Sequence, residues 1–114
     1  MSEEISYSAL NRESKSLMQE LAKSQPKLMQ AFQGLHHAVG GGGALESKTK
    51  ELLSLAISIH GQCHRCISLH VASALSEGAT PEEITETIGV AVLMGGGPAL
   101  MHGLDALKAL KELD

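Results

Sequence analysis

Tryptophan is absent, and Tyr7 and Phe32 are the only other large aromatic residues. A core without rings must be filled by Leu, Ile, Val, Ala and Met, a composition that favours helices. An excess of basic charge is also missing: nine Lys and Arg stand against 13 Asp and Glu, for a net charge of -4. With neither a basic patch nor aromatic platforms, the chain lacks what nucleic-acid binding requires. No run approaches the roughly 18 apolar residues of a membrane span. Met1 leads into Ser-Glu-Glu rather than the basic and then apolar pattern of a targeting segment. The expected compartment is therefore the cytosol, with no membrane partner. Strand-like alternation is absent as well.

What remains is an all-α single domain spanning 1–114, with short linkers and about six helices. Residues 6–23 place Leu10, Leu17, Met18 and Leu21 at helical spacing. Pro26 opens a second helix carrying Leu28, Met29, Phe32, Leu35 and Val39. Together they read as a helical hairpin. Gly40 to Gly43 end it as a hinge, since no strand precedes the glycines and no Gly-Lys-Ser/Thr follows, as a phosphate loop would need. A third helix from about Ser47 is apolar on more than one face, with Leu52, Leu53, Leu55, Ala56, Ile57 and Ile59. It should be buried on several sides. A fourth runs from Cys63 to Glu77 and closes at Gly78. Thr80-Pro81-Glu82-Glu83 is a capping-box start for a fifth, through about Met94. Gly95-Gly96-Gly97-Pro98 then breaks the chain before a sixth with Leu100, Leu104, Leu107 and Leu110. So much apolar surface exceeds what a 12.0 kDa globule covers alone, which points to a homo-oligomer.

The only two cysteines and three of the six histidines fall within residues 60–70, His60-Gly-Gln-Cys63-His64-Arg65-Cys66-Ile-Ser-Leu-His70. Cysteines three apart on a helix share a face and lie within reach of a disulfide. In a reducing compartment such a pair is more often catalytic, redox-sensing or metal-binding than a permanent staple. Cys63 falls at a helix N-terminus, where unpaired N–H groups and the helix dipole stabilise a thiolate. His70, four residues beyond Cys66, is the natural base for it. Glu51, on the preceding helix, returns to the Cys–His face if the two helices pack antiparallel. Nucleophile, resolving thiol and proton path together suit attack on a peroxide, followed by condensation of the sulfenic acid to a disulfide. That chemistry needs neither metal nor organic cofactor.

His60, Cys63, Cys66 and His70 also form a set of four zinc ligands, but so short a stretch crowds a tetrahedral site. Arg65 reads as a solvent-facing charge, and His36, His37 and His102 as surface or packing residues. The methionines read as gap-fillers.

Lys48-Thr-Lys-Glu51 to Ala56, Cys63-x2-Cys66-x3-His70, Gly78-Ala-Thr-Pro-Glu-Glu-Ile84 and Met94-Gly-Gly together resemble the carboxymuconolactone decarboxylase family, in its alkylhydroperoxidase AhpD-like branch. The match covers roughly residues 45–105. The resemblance implies an all-helical fold and a homo-oligomer, trimer or hexamer. It also implies Cys66 as the attacking thiol, Cys63 as its disulfide partner and Glu51 with His70 as the proton relay. Helix position alone favours Cys63 as nucleophile; the proximity of His70 to Cys66 favours the family's order. Members of the branch carry a histidine immediately before the second cysteine, where this chain has Arg65, with His64 one place earlier.

The function expected is a thiol-dependent peroxidase or disulfide reductase acting on small hydroperoxides. An external dithiol or lipoylated protein is the expected reductant. Two other classes fit parts of the pattern: a decarboxylase-like lyase of the same family, which would not need two cysteines, and a non-enzymatic redox sensor.

Overall fold

The computed structural model describes residues 5–114. Met1–Glu4, the segment read above for a targeting pattern, lies outside them. Five helices follow in order: α1 Tyr7–Ser24, α2 Pro26–Gly40, α3 Ser47–His60, α4 His64–Ser76 and α5 Pro81–Leu113. No strand occurs among the described residues.

The fifth and sixth helices expected from the sequence run on as one element, α5, interrupted at the glycines where the break was expected. Gly96 sits at φ 68°, ψ -147°, outside helical geometry, two residues before Pro98. Such a backbone suits glycine, which has no Cβ to clash at positive φ. From either side of the break, Ile88 and Gly103 come together: a Cβ on Gly103 would lie 2.8 Å from Ile88 Cγ2. In an unbroken helix, at 1.5 Å per residue, the two would be about 22 Å apart. The arms of α5 are therefore folded back on one another. By length and composition α5 is apolar enough to cross a membrane, with a window of mean hydropathy 1.4. The sequence reading found no such run. Folded at Gly96, neither arm alone reaches the roughly 20 residues of a span.

The local start and stop signals act as their chemistry dictates. Thr80 Oγ1 accepts from the Glu83 N–H and the Glu83 carboxylate accepts from the Thr80 N–H, closing the capping box that opens α5. Those bonds, with Lys48 at 3.1 Å, hold the Glu83 carboxyl below its ordinary pKa. Gly78, after α4, takes φ 91°. Between α3 and α4 the left-handed residue is Gln62, at φ 58°, not Gly61.

Tyr7 apart, the core is aliphatic: Leu55 and Ile59 from α3, Ile67, Val71 and Ala74 from α4, and Ile84, Ala91, Ala99, Ala106 and Ala109 from α5. At about 25 cal/mol per Å², burying each branched side chain contributes roughly 1.5–3 kcal/mol. The stripe that α1 turns inward is Tyr7, Asn11 and Ser14, and it docks largely through polar contacts. Asn11 Nδ2 donates to the Ser68 carbonyl at 3.3 Å, and Ser68 Oγ donates to the Tyr7 carbonyl at 3.3 Å. At its N-terminus the Glu112 carboxylate of α5 accepts from the Tyr7 and Ser8 N–H groups at 2.8 and 2.9 Å. Those donors hold the Glu112 carboxyl below its ordinary range.

Beyond Leu10, which packs against this core, the apolar stripes of the hairpin stay outside it. Leu17, Leu21, Leu28, Phe32, Leu35 and Val39 stay exposed, and of α2 only Met29 is buried. On α3, Leu55 and Ile59 are buried but Leu53 and Ile57 are not, Ile57 being 72% exposed. Burial of α3 on several sides is thus not reached within one chain.

Candidate active site

The turn between α3 and α4 builds the cysteine site. The Cys63 N–H donates to the Ser58 carbonyl at 3.1 Å, so the chain re-enters helical geometry with Cys63 in extended conformation as the N-cap of α4. Its Sγ accepts from the Cys66 N–H at 3.3 Å, the role that Ser or Asp plays at other helix starts. Cys63 and Cys66 are joined as a disulfide, with Cα atoms 5.2 Å apart.

Glu51, in the second turn of α3, and His70, in the second turn of α4, lie side by side. Oε2 of Glu51 is 2.8 Å from His70 Nδ1. Both are largely withdrawn from solvent, at 17% and 25% side-chain exposure. A histidine held at Nδ1 by a carboxylate presents Nε2 for proton transfer. Cys66, His70 and Glu51 line one groove of about 1180 Å³ between the α1–α2 hairpin and helices α3 and α4. Apolar residues of the hairpin, among them Leu17, Met18 and Phe32, form the opposite wall. Cys66 lines this groove and Cys63 does not. Cys63 and Cys66 open α4, His70 follows one turn on and Glu51 reaches it from α3, and of the two sulfurs only Cys66 lines the groove.

Arg65 does not simply face water. Its guanidinium donates to Ser14 Oγ at 2.8 Å and pairs with the Glu13 carboxylate, tying α1 to the cysteine turn. Nothing local in the sequence signals a partner so far away along the chain.

A second polar cluster borders the same turn and escaped the sequence reading. The His64 ring stacks on Tyr7 with centroids 5.5 Å apart and planes 14° from parallel. Asp105 Oδ2 lies 3.7 Å from His64 Nδ1 and 3.2 Å from His102 Nδ1, while Tyr7 Oη donates to Asp105 Oδ1 at 3.2 Å. Burial, reinforced by the Asp105 charge, pushes the Tyr7 hydroxyl up to about 12 from 10.0. His102 and Asp105, three apart on one helix, were the available signal; Tyr7 and His64 come to them only through tertiary packing.

An all-helical fold with a Cys-x2-Cys turn and a half-buried Glu–His pair defines an all-α protein with a candidate thiol-redox site. The model of the carboxymuconolactone decarboxylase family matches residues 26–109, and the chain belongs to that family. It is similar to the crystal structure of a carboxymuconolactone decarboxylase family protein from Legionella pneumophila. That match has a TM-score of 0.91 and 39% identity, covering 94% of this chain and 96% of the other. A Thermotoga maritima family member with a suggested involvement in an antioxidative response superimposes with TM-score 0.69 at 38% identity, over 74% of this chain and 87% of its own. An uncharacterized protein of the Paracoccus denitrificans cox locus is 40% identical over 95 residues, 83% of this chain and 86% of its own.

Proposed function

We propose that the protein is a thiol-dependent peroxidase that reduces small hydroperoxides through the Cys63–Cys66 pair. The observation that carries this reading is the common groove of Cys66, His70 and Glu51, with the Glu51–His70 contact at 2.8 Å. The suggested antioxidative involvement of the Thermotoga relative supports it.

In the reduced protein the Cys66 thiolate attacks the distal oxygen of the hydroperoxide. An S–O bond forms, the O–O bond breaks, and the alkoxide takes a proton by way of His70 to leave as alcohol. Glu51 holds the ring for that transfer. Cys63 then attacks the sulfenic sulfur; the S–S bond forms and the oxygen leaves as water. An external dithiol, free or as the lipoyl group of a carrier protein, returns two electrons to the disulfide. Such cycling suits a reducing compartment such as the cytosol. The exposed apolar faces of α2, α3 and α5 fit a second copy of the chain, so the working form is a homo-oligomer.

The decisive experiment treats the fully reduced protein with one equivalent of hydroperoxide and weighs the Cys63–Cys66 peptide. A loss of two hydrogens is the expected result, with turnover under excess dithiol. Turnover that persists in both Cys63→Ser and Cys66→Ser would sink the mechanism.

A further inference from the structure

Cys66 and Glu51 each follow a cation that reaches across to the α1–α2 hairpin. Arg65, before Cys66, donates to Ser14 Oγ at 2.8 Å and pairs with the Glu13 carboxylate, both on α1. Lys50, before Glu51, donates from Nζ to the Val39 and Gly41 carbonyls at 2.7 and 2.6 Å. Those carbonyls lie at the C-terminal end of α2, where the helix dipole favours a cation. Arg65, Lys50, Ser14 and Val39 all line the groove.

The hairpin depends on these contacts for its position. Its other hydrogen bonds to the rest of the chain join residues 6–11 to Ser68, Asp105 and Glu112, away from the groove. Among the described residues, no hydrogen bond ties residues 15–38 to α3, α4 or α5, and of α2 only Met29 is buried. The apolar wall formed by Leu17, Met18, Phe32 and Leu35 is therefore held against the reacting side at its two ends, by Arg65 at one and Lys50 at the other. An exposed ion pair alone contributes little. Here Arg65 adds a bond to the buried Ser14, and Lys50 makes two charge-assisted bonds.

The groove, at about 1180 Å³, has room for far more than hydrogen peroxide, and its wall offers apolar contact. Resting on the peroxidase reading, we propose that Arg65 and Lys50 are positioning residues that set which hydroperoxides the protein takes. By fixing the wall relative to Cys66 and Glu51, they set the width of the groove, and a bulky apolar hydroperoxide is held between the wall and the reacting sulfur. Hydrogen peroxide needs only Cys66, His70 and Glu51 and gains nothing from the wall. The chemistry at Cys66 is the same for both. What the two cations add is binding of the apolar group, equal in ground and transition states, so it acts on KM rather than kcat.

The test compares cumene hydroperoxide with hydrogen peroxide in Arg65→Ala and Lys50→Met, with folding checked by circular dichroism; where one variant does not fold, the other decides. KM for cumene hydroperoxide should rise about tenfold, the loss expected for a charged hydrogen-bond donor. Its kcat, and kcat/KM for hydrogen peroxide, should stay within about twofold of wild type. Removing the Arg65 charge changes the acidity of Cys66 for both substrates alike, so the ratio between them reads the wall alone. Lys50→Arg still offers two donors to the α2 carbonyls and should keep the wild-type KM. Binding of cumyl alcohol, measured by calorimetry, needs no turnover, and its Kd should also rise about tenfold in both variants. Equal losses for the two hydroperoxides, or no binding of cumyl alcohol to the wild type, overturn the assignment even if peroxide is turned over. An unchanged KM for cumene hydroperoxide in either folded variant overturns it for that residue. Wild-type protein that turns over neither hydroperoxide, while cumyl alcohol binding still weakens in the variants, leaves the two tethers standing and removes the reading of the activity.

Discussion

Glu51 Oε2 and His70 Nδ1 stand 2.8 Å apart although nineteen residues separate them in the chain. The contact exists because α3 ends at His60, the chain turns through Gly61 and Gln62, and α4 begins at His64 with Cys63 as its N-cap. Each side chain sits in the second turn of its helix, largely shielded from water. In such surroundings a carboxylate and an imidazole hold each other in one orientation.

Breaking that contact should slow chemistry without preventing the disulfide. Glu51→Gln keeps the shape of the side chain and removes the charge; His70→Asn removes the proton carrier. Removing a positioned acid or base costs typically 10²- to 10⁴-fold in rate. The expected outcome is a fall of about 100-fold or more in kcat/KM for hydroperoxide in His70→Asn, with a smaller loss in Glu51→Gln. Both variants should still form the Cys63–Cys66 disulfide when oxidised with excess oxidant. Steady-state kinetics and a thiol titration check the two halves; an unchanged kcat/KM in His70→Asn removes it from the relay.

The helix boundaries, and with them the placement of the four chemistry-bearing residues, were legible because their signals are local. Thr80-Pro-Glu-Glu, Pro26 and Gly78 act within a turn of where they stand, and Glu-x11-Cys-x2-Cys-x3-His fixes which faces meet once two helices pack antiparallel. The break at Gly95-Gly96-Gly97-Pro98 was legible too, since Gly96 at φ 68°, ψ -147° interrupts helical geometry where the glycines stand. Two things were not legible. Helical spacing cannot say which of two stripes faces the chain's own core. On α1 the polar stripe Tyr7, Asn11 and Ser14 turns inward while Leu17 and Leu21 stay out. Finally, Arg65–Glu13 and His64–Asp105 join residues with no fixed sequence spacing.

Exposed Leu93 and Ile57, at 80% and 72%, make the oligomer testable. Each large apolar side chain left in water forgoes about 1.5–3 kcal/mol relative to full burial. A charge placed where a second copy should pack would be desolvated without a partner. Ile57→Glu and Leu93→Glu should shift the sedimentation profile from assembly to single chains while leaving the helical spectrum in place. A wild-type protein that sediments as a single chain across micromolar concentrations contradicts the proposed homo-oligomer outright.

The two arms of α5 depend on a residue without a side chain. A Cβ on Gly103 would lie 2.8 Å from Ile88 Cγ2, closer than Cβ atoms approach a neighbour. Ile88 is branched and packed against the core, so it yields little. Gly103→Ala gains helix propensity of roughly 1 kcal/mol, but overpacking of this kind costs about 1–3 kcal/mol. Net destabilisation is expected. Ile88→Val on top of it should restore part of the loss by making room, read as a recovery in the denaturant midpoint. A Gly103→Ala protein more stable than wild type contradicts the close approach of the arms.

Tyr7 gives a clean optical handle, because it is the only tyrosine and there is no tryptophan. Its hydroxyl is buried and donates to Asp105 Oδ1 at 3.2 Å; burial first, and the neighbouring carboxylate second, raise it to about 12 from 10.0. The raised value means that the folded chain keeps the proton that the unfolded chain releases. This contribution to stability is therefore complete below pH 10 and is lost as pH rises toward 12. Phenolate absorbance near 295 nm should accordingly appear about two pH units later than in free tyrosine, or appear abruptly with unfolding before that point. Asp105→Asn removes the charge and should bring the transition down toward its ordinary position, though not fully, since burial remains. A native protein whose tyrosine titrates at pH 10 in its folded form would place Tyr7 in water and dissolve the contact that holds Asp105 beside His64.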